Sequence, residues 1–75
     1  MDIRGLGDRW FAGQSVPGVA FGHNESVEIT AGEYRGHTGS IVFLMDVEPE
    51  PLYLVELGTA NGDVRIRQSA LRALK

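Results

Sequence analysis

Val27-Glu28-Ile29-Thr30, followed by Gly36-His37-Thr38-Gly39-Ser40-Ile41-Val42, is the stretch on which the fold turns. Val27 and Ile29 alternate with Glu28 and Thr30, the pattern of a half-buried strand. A polar loop carrying Gly36 follows, and Gly39 then releases a second, strongly apolar strand. Any side chain larger than hydrogen is penalised where a backbone bends sharply or takes positive φ. The stretch therefore predicts a small, strongly bent β-sheet, with Gly39 at a bulge or a positive-φ position.

Toward the C-terminus, Ser40 to Val47 continues the second strand as far as the tip Glu48-Pro49-Glu50-Pro51. Its prolines cannot donate to a ladder, so the tip is a loop, and its stiffness would suit a recognition element or nothing beyond a blunted hairpin end. Leu52 to Thr59 forms a third strand, and Asn61-Gly62 reads as a type I′ turn into a fourth. Pairing Ala60 with Asp63 sets Thr59 opposite Val64, Leu57 opposite Ile66 and Glu56 opposite Arg67. That register gives two apolar pairs on one face and an ion pair on the other. Gln68-Ser69-Ala70 predicts one 3₁₀ turn, after which Leu71 and Leu74 close the chain against the core.

Toward the N-terminus the period is lost. Residues 1–24 form a glycine-rich arm in which Val16-Pro17-Gly18-Val19 reads as a type II turn and Arg9 to Ala12 as at most one helical turn. Trp10, Phe11, Val19 and Phe21 are each worth roughly 1.5–3 kcal/mol on burial, so the arm is expected either to pack on the sheet or to be disordered. Residues 25–75 carry the sheet.

Ile41-Val42-Phe43-Leu44-Met45 is apolar on both faces, and its partner strand adds Leu52 and Leu54. A strand with one solvated face should alternate. Either the aromatic arm covers the excess outer apolar surface, or a partner protein or a second copy docks on it. Leu44 and Leu54 are accordingly candidate partner-binding residues.

The 75-residue chain has room for one small core, burying only about 60% of the surface it exposes when unfolded. It has no cysteine, so neither disulfides nor thiolate metal sites hold it. No signal-type apolar region is present and no run approaches the roughly 20 apolar residues of a membrane span, which leads us to expect a soluble, cytoplasmic protein without membrane association. His23 and His37 lack ligand spacing, and no serine sits in a nucleophile context, so neither a metal, a cofactor nor catalysis is expected. Gly36-His37-Thr38-Gly39 matches a phosphate-clamping GXXG in letters only, because it lies between strands.

The net charge is −3, which runs against phosphate-dominated binding. Residues 35–75 hold five acids and five bases, and four of those bases, Arg65, Arg67, Arg72 and Lys75, fall in the last eleven residues. An anion-facing surface would therefore be local and C-terminal. Arg65 and Arg67 on the outward face of the fourth strand, with Arg35 on the first loop, are further candidate partner-binding residues, because arginine forks suit carboxylates and phosphates alike. Tyr34 and Tyr53 are candidates for a stacking platform beside them.

Val27, Ile29, Gly36, Gly39 and Ile41, with the distal Val64, Ile66 and Leu71, resemble the KOW motif of ribosomal proteins and transcription elongation factors. The resemblance spans Ser26 to Leu71 and implies an all-β, five-stranded SH3-like barrel, here with the glycine-rich arm at its N-terminus. It also implies a binding domain associated with RNA, the ribosome or RNA polymerase. The acidic balance is closer to another group of SH3-like barrels, the accessory subunits of electron-transfer complexes, such as the peripheral photosystem subunit and the variable chain of ferredoxin-thioredoxin reductase. On both grounds the expected function is a non-enzymatic protein-interaction or accessory module.

Overall fold

The computed structural model describes residues 8–14, 16–58 and 62–74. Five strands, β1 (Ser26–Ile29), β2 (Thr38–Asp46), β3 (Leu52–Glu56), β4 (Asp63–Arg67) and β5 (Leu71–Ala73), lie in the order β4-β3-β2-β1-β5, and all their pairings are antiparallel. A 3₁₀ turn, η1 (Gln68–Ala70), links β4 to β5. The all-β expectation is thus met, as is the 3₁₀ link before the last strand. The sheet is not closed into a barrel: β4 and β5 are its two edges, and no ladder joins them among the described residues.

Two irregularities in β2 resolve its excess of apolar residues. The β2–β3 register slips between Ile41 and Phe43 and again between Leu44 and Asp46. Each slip is a bulge, which adds a residue and shifts the alternation. Ile41 and Leu44, three apart, therefore both reach the core opposite Val55 and Tyr53, while Phe43 faces outward opposite Leu54. Leu44 is only 4% exposed, which corrects its assignment as a partner-binding residue.

The β3–β4 register also differs from the expected one. Glu56 lies opposite Asp63, Val55 opposite Val64 and Tyr53 opposite Ile66, so Ile66 sits four residues along β3 from Leu57. An even shift keeps the same side chains on the same face, and Leu57 and Val64 are buried as the alternation requires. The loop is wider than a two-residue turn. Leu57 N–H donates to the Gly62 carbonyl at 3.1 Å, and Gly62 takes φ 68°, a conformation that costs an L side chain about 1 kcal/mol. The expected Ala60–Asp63 and Thr59–Val64 pairs and the Asn61 half of the turn lie outside the described residues.

Gly39 keeps an ordinary φ. Its need for glycine comes from proximity, because a Cβ there would overlap the Glu56 carbonyl oxygen and crowd Val55 Cγ1.

The described part of the arm sends Trp10, Val16 and Phe21 into the core and meets the outer face through Phe11 on Phe43. Trp10 (2% exposed), Val16 and Phe21 join Val27, Ile29, Ile41, Leu44, Tyr53, Val55 and Leu71 in one apolar cluster. Residues 8–11 make a single helical turn. The turn at Val16–Val19 is closed by Val19 N–H to Val16 O at 3.1 Å. Indole Nε1 of Trp10 donates to Phe21 O at 2.7 Å, so burying this ring orphans no donor. At the other end of the chain, Leu71 is buried but Leu74 is 39% exposed, so the last turn does not close on the core as expected.

Candidate functional site

Strand alternation on β3 and β4 sends Leu52, Leu54 and Glu56, and likewise Asp63, Arg65 and Arg67, to the outer face. The ladders align these residues in rows across three strands. Phe43, Leu54 and Arg65 form the middle row, Asp46, Leu52 and Arg67 the row toward the acidic tip, and Ser40, Glu56 and Asp63 the opposite end. The result is a leucine-centred face with cations along β4 and Asp46 on β2.

At its β2 side this face runs into aromatic surface. Phe43 is 46% exposed and Phe11 50%, and the two rings meet edge-on at 5.7 Å. His23 lies 4.3 Å from Phe11 and 5.7 Å from Trp10, between the buried and exposed parts of the arm. Here the arm meets the outer face, through Phe11 on Phe43.

The candidate cations are dispersed. Arg65 is exposed on β4 and lines a shallow cleft with Tyr34, Leu54, Asp63 and Val64. Arg67 is half-buried, and its Nη1 donates to Glu50 O at 2.8 Å. It therefore does not form the expected pair with Glu56. Arg35 is exposed on the β1–β2 loop. Arg72 sits on β5, at the other edge of the sheet, where its Nε donates to Glu28 Oε1 at 2.7 Å across the β1–β5 ladder. The expected local, C-terminal anion surface is thus divided between two edges, and Lys75 lies outside the described residues.

Other polar groups are committed to holding the fold. Glu50 receives Ser69 N–H and Oγ–H at 3.1 and 3.0 Å, which docks the acidic tip on η1. Gln68 holds the arm: its Nε2 donates to Gly18 O at 3.0 Å, and its Oε1 accepts Ala20 N–H at 2.8 Å and the Tyr53 hydroxyl at 2.5 Å. Tyr53 is in the core and burial pushes its phenol above the usual value, so it offers no stacking platform. Tyr34 is half-buried against the core, and its carbonyl lies 3.1 Å from His37 Nδ1.

Among the described residues, no three His, Asp or Glu side chains converge as a metal site, and no helix is long and apolar enough to cross a membrane. Neither the outer-face rows nor the Phe11–His23 cluster was legible from spacing, because both depend on the two bulges and on where the arm returns. Compared with protein-family models, curated proteins and solved structures, the chain matches none.

Proposed function

We propose that this chain is a non-enzymatic protein-interaction module, an accessory domain on an SH3-like sheet that docks through the outer face of β2, β3 and β4. The observation that carries this reading is the Phe43–Leu54–Arg65 row, which sets apolar surface beside an exposed cation on a regular strand scaffold. Interface cores use this combination, with aromatic and arginine side chains enriched and most other charges at the rim. Five strands with a 3₁₀ link before the last support the SH3-like reading.

Association with RNA is the second reading, favoured by Tyr34 and Arg65 lining one cleft. Asp63 lines the same cleft, and a carboxylate there opposes a phosphate.

Capture from nuclease-treated and untreated lysates, with Leu54→Glu run beside the wild-type chain, separates the two. Docking on the apolar face predicts a protein retained after nuclease treatment at about 0.5 M salt and lost with Leu54→Glu. Retention that needs intact nucleic acid and collapses with salt would replace this reading with the RNA one.

A further inference from the structure

We propose that the occupant of the outer face is a second copy of this chain, packed face to face about a two-fold axis lying along β3. This rests on the interaction reading above and names the partner.

Charge placement on this face matches it to a second copy of itself. The face carries both signs: Arg65 and Arg67 lie on β4 with Asp63 at its far end, Asp46 lies on β2, and Leu52, Leu54 and Glu56 lie between them on β3. A uniformly acidic partner would meet Asp46, Glu56 and Asp63, and a uniformly basic one would meet the arginines. Rotation by a half turn about an axis parallel to β3 places β4 of one copy over β2 of the other and leaves each row at its own height. Arg67 then faces Asp46 of the second copy, twice, while Leu52 and Leu54 meet their own equivalents on the axis. Arg65 comes over the face of Phe43, where a guanidinium is attracted to the ring. Such self-complementarity is what an isologous interface requires.

Among the described residues these groups keep unpaired atoms. Asp46 Oδ1 accepts Val47 N–H at 2.8 Å and Glu48 N–H at 3.3 Å, and Oδ2 has no partner among the described residues. Arg67 has committed Nη1 to Glu50 O, and among the described residues the rest of its fork has no hydrogen-bond partner. The cost falls at one end, where Glu56 meets its own equivalent.

Size sets the affinity. Three strands about 4.8 Å apart and five residues at about 3.3 Å rise give a footprint of about 14 by 17 Å. That is well under the roughly 800 Å² per partner of a stable complex, so the dimer is a weak, concentration-dependent one.

Sedimentation equilibrium of the full chain from about 10 μM to 1 mM tests this, with Arg67→Asp and Asp46→Arg measured singly and mixed. Each single reversal is expected to weaken association at least about tenfold by setting like charges opposite each other, and the equimolar mixture to regain it, because both cross-axis pairs are then opposite in sign. A wild-type chain that stays monomeric at 1 mM overturns the proposal, as do single variants that still dimerise or a mixture that stays monomeric. Should either reversal lose its cooperative melt, Leu54→Glu replaces it: two carboxylates then meet on the axis, and a dimer that survives them overturns the proposal. Loss of the dimer in a Leu54→Glu chain that melts as wild type supports it. The interaction reading fails separately, when nuclease-resistant capture does not depend on Leu54.

Discussion

The carbonyl oxygen of Glu56 on β3 stands where a Cβ on Gly39 of β2 would have to go. The obstacle is backbone, so no rotamer change relieves it, and the strands would have to part at the Ser40–Glu56 pair. Gly39→Ala is expected to lower Tm by about 10 °C or more, and Gly39→Val by more still. Gly22→Ala is the control. Nothing lies within 4 Å of a Cβ there, and its Tm should stay within about 4 °C of wild type. Equal melting of the two alanine variants would show that the approach of β3 to Gly39 is not a constraint.

Gln68 joins three parts of the molecule, accepting from Ala20 N–H and Tyr53 Oη–H and donating to Gly18 O. Gln68→Ala removes these partners together, at an expected cost of about 2–3 kcal/mol. The loss should be local first. Hydrogen exchange at Ala20 and Phe21 is expected to accelerate more than at Val55, because the arm opens without the sheet. Uniform acceleration would mean that arm and sheet open as one unit.

Strand number, the 3₁₀ link and the inward set on β4 were legible because alternation and turn residues report them directly, whereas Tyr53 on β3, a surface candidate by sequence, is buried. Register was not legible. Tyr53, Val55 and Leu57 share a face, so any even shift of Ile66 along them satisfies the pattern equally well. The inward pair Ile41 and Leu44 was hidden for a related reason, since a bulge changes the alternation and leaves no mark in an unbroken apolar run. The arm misled through composition. Its aromatics announced burial, but whether Trp10 goes under the sheet or over it depends on its hydrogen bond to Phe21 O and on the packing of Phe21 against Tyr53, which no local pattern encodes.

The register has its own test. Cross-strand NMR contacts are expected between Val55 and Val64 and between Tyr53 and Ile66, with none between Leu57 and Ile66. Gly62→Ala should cost about 1 kcal/mol through its positive φ while leaving those contacts in place. A Leu57–Ile66 contact would restore the two-residue turn and move the outer rows on which the docking face depends.

Tyr53 gives the fold an alkaline limit. Burial raises the pKa of its phenol, and the nearby Glu25 carboxylate pushes the same way, whereas hydrogen bonding from Phe21 N–H and Ala20 N–H opposes them. The folded-state value therefore lies above the unfolded one. Stability from the neutral phenol is whole below the unfolded value of about 10 and is lost as pH rises through the folded value. Denaturant melts across the alkaline range should show midpoints falling above about pH 10. Tyr53→Phe should flatten that decline. It should also lower stability at neutral pH by about 1–2 kcal/mol, since Gln68 Oε1 and Phe21 N–H lose their shared hydroxyl. An alkaline decline unchanged in Tyr53→Phe would assign the limit to another group and remove the phenol from the energetics of arm attachment.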